Sequence, residues 1–178
     1  MIAVLGAGES GVGAALLAKQ KGYDVFVSDS GSVKNHFQNE LLSAGLEWEQ
    51  GEHNEEKILS ANLLIKSPGI PETKLVTKAR AKGIEVLSEI EFASRYSEGR
   101  IIAITGTNGK TTTASMIYHI LKKSGFNVAL AGNIGKSFSE SIAEQNYQIY
   151  VLLWPQADYE NQRPELPLLS LIHISEPT

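Results

Sequence analysis

The sequence of 178 residues has no cysteine, which excludes a disulfide framework, a thiolate nucleophile and sulfur-ligated zinc. Neither sign of charge dominates: 16 Lys and Arg stand against 20 Asp and Glu, for a net charge of −4. That balance offers no basic surface to a nucleic-acid backbone, so no nucleic-acid partner is expected. No apolar run approaches the roughly 18–20 residues that cross a bilayer, so no membrane partner is expected either. The opening Met1-Ile2-Ala3-Val4-Leu5-Gly6 lacks the basic region of a signal peptide. Proline is scarce, and four of the six (Pro155, Pro164, Pro167, Pro177) fall after Trp154. What is present is 42% hydrophobic residues, enough for a packed core, and 16 glycines at telling places. These features fit a cytoplasmic α/β protein.

Short β-branched runs alternate with amphipathic stretches, the pattern of a parallel sheet with crossover helices. Strands are expected at Ile2–Leu5, Val25–Ser28, Leu46–Glu49, Leu63–Ser67 and Glu85–Leu87, with helices near 10–21, 34–44, 54–60 and 73–82. Gly22, Gly45 and Gly83 follow three of these helices, where a left-handed residue closes the last turn. A helix Glu89–Tyr96 completes a Rossmann-like, doubly wound unit over 1–97, and Ser97-Glu98-Gly99 reads as a linker. A second unit, 98–153, opens with a buried-type strand Ile101–Ile104, a helix of about 110–123 ended by Gly125, and a strand Val128–Ala131. The loop Gly132–Gly135, a helix Ser137–Gln145 and a third strand Gln148–Leu152 follow. Three strands and two helices are the start of a P-loop-type nucleotide-binding domain, truncated. Beyond Leu153 neither period 2 nor period 3.6 persists.

Two glycine loops carry the chemistry. Gly6-Ala7-Gly8-Glu9-Ser10-Gly11 follows a strand and opens a helix, the context that gives G-x-G-x-x-G its meaning. Gly6 permits the tight turn, Gly8 lets a diphosphate approach the backbone, and Gly11 lets helix and strand pack closely. Asp29, ending the second strand, can accept hydrogen bonds from a sugar or base. A nicotinamide or flavin dinucleotide, another phosphorylated nucleotide and a ligand-free turn all fit this loop. Glu9 places a negative charge near a pyrophosphate and speaks against the dinucleotide. The second loop, Thr105-Gly106-Thr107-Asn108-Gly109-Lys110-Thr111-Thr112, ends like a phosphate-binding loop, although Ile104 stands where the first glycine of that pattern belongs. Its backbone N–H groups and helix N-terminus suit the phosphates of ATP, Lys110 suits the β/γ oxygens, and the Thr111 hydroxyl suits Mg²⁺. Ser67-Pro68-Gly69-Ile70-Pro71 lines a cleft or makes a plain turn. Asn133 reaches a substrate or sits in a left-handed turn. His36, His53, His119 and His173 are scattered and read as solvated, and no Ser/His/Asp constellation is assignable.

With both loops placed, residues 1 to about 152 resemble the N-terminal part of a Mur ligase. The resemblance rests on Gly6–Gly11, Ser28-Asp29-Ser30, Lys66–Pro71, Ser88–Phe92, Thr105–Thr112 and Ala131–Gly135. The segments Ser67–Pro71 and Glu89–Phe92 favour the D-glutamate-adding branch. The resemblance implies a first domain that binds UDP-N-acetylmuramoyl-L-alanine and a central domain that binds ATP with Mg²⁺. It implies Glu9, Ser10 and Gly11 at the diphosphate, Asp29 and Ser30 near the uridine, Gly69 at the cleft and Asn133 at the muramoyl part. Gly106, Thr107, Asn108, Gly109, Lys110, Thr111 and Thr112 would hold ATP, Lys110 being catalytic and Thr111 a metal ligand. The D-glutamate site would lie outside this chain.

Two departures accompany it. The family carries a metal-holding glutamate after Tyr-Val-Leu in the third central strand, and here Tyr150-Val151-Leu152 runs into Leu153 and Trp154. The last ten residues, Leu169 to Thr178, resemble the in-frame translation of a transposon-type sequencing adapter. The expectation is therefore that 154–178 is a non-native tail and that this chain alone does not turn over. An NAD(P)-binding module and a ligand-binding fragment without catalysis stand as the alternatives.

Overall fold

A computed structural model describes residues 1–132, 136–154 and 169–174, and the chain divides into two compact units, Met1–Ala93 and Ser94 onwards. The first is an α/β unit around a five-stranded parallel sheet of β1 (Ile2–Leu5), β2 (Val25–Asp29), β3 (Glu47–Gln50), β4 (Leu63–Lys66) and β5 (Glu85–Ser88), in the order β3-β2-β1-β4-β5. The helices are α1 (Glu9–Gln20), α2 (Asn35–Ser43), α3 (Glu55–Ile58), α4 (Lys74–Ala81) and α5 (Glu89–Ser94). The strand positions match the sequence reading to within a residue or two. The stretch at 54–60 is one short helical turn, started by Asn54, whose side chain accepts from the Lys57 N–H.

Local chemistry explains the boundaries. Thr73 caps α4 by accepting from the Val76 N–H. Ser88 and Glu91 form a reciprocal capping box at α5: the Ser88 N–H donates to Glu91 Oε2 at 2.7 Å, and the Glu91 N–H to Ser88 Oγ at 3.2 Å. Central strands β1 and β2 are buried on both faces, which is why they read as unbroken Ile, Val, Leu and Phe rather than alternating. Under the sheet, Ala3, Leu5, Phe26, Leu64 and Val86 pack on Ile58, Leu75, Val76 and Ala79 of α3 and α4.

Strand order reverses between β1 and β4, so the crevice at the carboxyl ends of these strands is where a doubly wound sheet receives its ligand. The Gly6 loop and the turn after β4 meet there. A Cβ on Gly6 would lie 3.0 Å from Ser67 Cβ. Gly11 is obligatory on other grounds, because its Cβ would lie 1.8 Å from the Gly6 carbonyl oxygen.

The second unit contains β6 (Arg100–Gly106), α6 (Lys110–Lys123), β7 (Val128–Gly132), α7 (Phe138–Glu144), β8 (Ile149–Leu153) and β9 (Leu169–Ile174). All pairs are parallel, in the order β7-β8-β6-β9. Ala114, Ile117 and Leu121 of α6 pack on Ile104, Val128, Ile149, Val151 and Leu153, as their helical spacing predicts.

β9 corrects the expectation of a tail without regular structure and of a three-stranded sheet. Leu169 to Ile174 lies in register beside Ile101 to Gly106. Its Ile172 and Ile174 join the apolar layer under α6, while Leu171 and His173 are exposed. Six residues with β-branched side chains two apart suffice to occupy an open strand position. The rest of the expected tail, 155–168 and 175–178, lies outside the described residues.

Candidate functional site

The first loop opens α1 without a side-chain cap, Gly8 holding extended backbone at φ −86°. Nothing lies within 4 Å of where a Gly8 Cβ would be, so the backbone faces open space there. That space is a cavity of about 340 Å³ lined by Ala7, Gly8, Glu9, Asp29, Ser32, Val33, Lys34 and Phe37. It mixes one aromatic ring, a cation, two carboxylates and a glycine-loop backbone at a helix N-terminus, a composition suited to a base, a sugar and phosphates.

Of the residues expected here, Gly8, Glu9 and Asp29 come together; Ser10, Gly11 and Ser30 do not line the cavity. Glu9 is exposed. Asp29 has a second task, because Oδ2 accepts from the Ala7 N–H at 2.7 Å and Oδ1 from the Gly31 N–H at 2.7 Å. It ties the glycine loop to the loop after β2, and each oxygen retains a lone pair for a ligand.

Gly69 is exposed on the neighbouring turn and is not part of this wall. Beneath that turn Lys66 is buried, its ammonium donating to the Ile70 carbonyl at 2.6 Å. The ammonium holds the turn from below, a role the alternation of the strand does not announce. Ser32, Lys34 and Phe37 were also missed. They follow the β2 terminus in a stretch with no motif, and only the fold brings them to the glycine loop.

His53 is a further correction, for it is not a free surface ring. The buried Ser28 hydroxyl donates to Glu49 Oε1 at 2.6 Å and lies 2.6 Å from His53 Nδ1. A hydroxyl has one proton, and the carboxylate takes it, so Nδ1 must carry the proton of the second bond. The serine is held by both groups at once, an anchoring arrangement at the end of β2.

The second loop is built differently. Gly109 caps α6 in the left-handed region at φ +75°, and Gly106 sits at φ +130°. Both conformations are closed to ordinary side chains. The Lys110 ammonium folds over the loop and donates to the carbonyls of Gly106 and Thr107. The Thr105 hydroxyl, at the start of the loop, is buried and has no hydrogen-bond partner among the described residues. Asn133 lies outside the described residues.

Profiles of two domains match the chain: the Mur ligase MurD-like N-terminal domain over residues 1–88, and the Mur ligase middle domain over residues 104–157. The chain belongs to the Mur ligase family. It is 55% identical over 152 residues to the UDP-N-acetylmuramoylalanine–D-glutamate ligase of Bacteroides fragilis, covering 85% of this chain and 34% of that protein. The enzyme of the same name from Cytophaga hutchinsonii is 56% identical over 154 residues, again 85% of this chain and 34% of that one. Among solved structures, the UDP-N-acetylmuramate–alanine ligase of Thermotoga maritima superposes with a TM-score of 0.60 at 19% identity, over 98% of this chain and 41% of that one, a likeness of fold. The chain thus spans about a third of the length of the curated Mur ligases it matches.

Set against its family, the second unit has one misfit. Leu153, at the strand end where the Mur ligase resemblance implies a glutamate, is 3% exposed and packs with Ile104 and Ala114. Thr111 lies in the first turn of α6, and no group of three or more His, Asp or Glu side chains suited to a metal occurs among the described residues. Leu153 offers Mg²⁺ no ligand, so the carboxylate that the resemblance implies is missing from the set. Among the described residues, no helix is long and apolar enough to cross a membrane.

Proposed function

We propose that this chain carries the sugar-nucleotide domain and the start of the ATP-binding domain of a ligase that joins D-glutamate to UDP-N-acetylmuramoyl-L-alanine in cytoplasmic peptidoglycan synthesis. The observation that carries this reading is the 55% identity, over 152 residues, to an enzyme of that name. The domain limits we assign are 1–97 and 98–153, with 154–178 not belonging to the ligase. Glu9 takes the diphosphate side of the first pocket, with Ser10 and Gly11 behind it in the first turn of α1; Asp29 takes the uridine side, with Ser30 next to it in the chain, and Gly69 the cleft rim. Lys34 supplies the cation that this pocket needs beside its two acids.

In the second unit the loop from Gly106 to Thr112 receives the triphosphate of ATP, and Asn133 faces the muramoyl part. The L-alanyl carboxylate oxygen attacks the γ-phosphorus, the bond to the β-phosphate oxygen breaks, and ADP leaves. The amine of D-glutamate then attacks the acyl phosphate carbon, phosphate departs, and the amine loses a proton as the amide forms. Lys110 neutralises charge on the phosphoryl group as it transfers, the work of a fixed cation in a phosphate loop. No step here is assigned to Mg²⁺, since Leu153 occupies the position where the family's carboxylate is implied. The same observation favours a second reading for this chain taken alone: a ligand-binding fragment without turnover.

A thermal shift tests the assignment. UDP-N-acetylmuramoyl-L-alanine should raise the melting temperature of the chain, and NADH should not. Stabilisation by NADH alone would make the first unit a dinucleotide-binding module instead.

A further inference from the structure

The pocket of the first unit has one mobile-looking wall in sequence terms: Ser32, Val33 and Lys34 follow Gly31 in a stretch without helix or strand. In the fold that wall is fastened from two elements. Val33 is 4% exposed, and both of its backbone groups are bonded to glutamine side chains. Its N–H donates to Gln50 Oε1, at the end of β3, at 2.9 Å. Its carbonyl accepts from Gln38 Nε2, on α2, at 2.7 Å. The two amides also approach each other, Gln38 Nε2 lying 3.5 Å from Gln50 Oε1. The next residue along, Gly51, donates its N–H to the Asp29 carbonyl at 2.9 Å and lies 3.2 Å from that of Gly31.

We propose that Gln50 and Gln38 are positioning residues for the sugar-nucleotide pocket, clamping Val33 so that Ser32 and Lys34 on either side of it hold their places in the wall. The proposal rests on the reading of this pocket as a nucleotide site. Neither glutamine lines the cavity, so each acts through the backbone it holds. The roles are opposite: Gln50 supplies an acceptor to Val33, and Gln38 supplies a donor.

That opposition gives the test. UDP is titrated calorimetrically into the full 178-residue chain at high ionic strength, where added charge is screened. Gln50→Leu and Gln38→Leu should each weaken UDP roughly 2- to 10-fold, the effect of one lost neutral hydrogen bond. Gln50→Glu keeps an oxygen for the Val33 N–H and should restore the affinity. Gln38→Glu adds the same charge but has no proton for the Val33 carbonyl, and should not. Because the two glutamate variants differ only in that donor–acceptor logic, they decide the matter even where a leucine variant folds poorly. Unchanged affinity in Gln50→Leu, or equal rescue by both glutamates, overturns the clamp while leaving the nucleotide reading intact. An unmodified chain that does not bind UDP overturns both.

Discussion

The two units use one device, a strand that runs into glycines and then a helix, and build opposite sites from it. In the first, Gly8 caps α1 in extended backbone and opens onto a cavity that holds Glu9 and Asp29 as well as Lys34. In the second, Gly109 caps α6 in the left-handed region and Lys110 lies over the loop. The helix N-terminus favours an anion in both. The side chains around it differ: two acids, a cation and an aromatic ring at the first, and a single lysine folded over the loop at the second. The units also differ in how their sheets are closed. β1 lies between β2 and β4 of its own unit, whereas β6 takes β9, from beyond residue 168, as its outer neighbour.

The comparison breaks most sharply at Gly11. Gly11→Ala drives a Cβ into the Gly6 carbonyl, and should cost about 3 kcal/mol or more in the first unit, or roughly 10 °C or more in melting temperature. Each unit has its own reporter, Trp48 in β3 and the buried Trp154 after β8, so single-tryptophan variants follow them separately. The Trp48 transition should fall, and equal transitions in parent and variant would refute the close packing. Deleting residues 169–178 reverses the target. It uncovers the β6 edge and removes Ile172 and Ile174 from the apolar layer, so the Trp154 transition should lose about 2 kcal/mol. An unaffected Trp154 transition would mean that β9 adds nothing to the sheet.

The smallest effect is a pH dependence confined to the second unit. Burial pushes the Tyr150 phenol above its ordinary value, against the hydrogen bond from the Tyr147 N–H that acts the other way. A folded state that keeps this proton longer than the unfolded chain is stabilised below the ordinary phenol value, about 10. That contribution is lost as pH rises through the folded value. The urea midpoint followed by Trp154 should therefore drop in that window, and Tyr150→Phe should flatten the drop. A slope identical in both proteins would assign it to other groups.

Much of this was legible in the residues. Strands β1, β2 and β4 are apolar runs bounded by Gly, Asp and Ser, and both glycine loops stand between a strand and a helix as their spacing requires. Gly11 was readable for its own reason, the need for a residue without a side chain. What could not be read is what needs tertiary placement. Asp29 was legible as an acceptor but not as the bridge between two loops. His53 looked solvated because Ser28 and Glu49, its neighbours in space, are remote in sequence. Ser32, Lys34 and Phe37 carry no motif, and Gln38 and Gln50 act on Val33 through backbone atoms that a sequence does not distinguish. β9 escaped because prolines flank it and its residues resemble an adapter translation, which set the stretch apart from the fold.

The central claim is that the chain holds two nucleotide sites of different kind, one in each unit. Calorimetric titration of the 178-residue chain and of Lys110→Ala, with ATP and with UDP-N-acetylmuramoyl-L-alanine, tests it most directly. Losing a charge-assisted contact should weaken ATP roughly 10- to 100-fold in the variant. The affinity for the sugar nucleotide should stay the same. Equal weakening of both ligands would contradict the account.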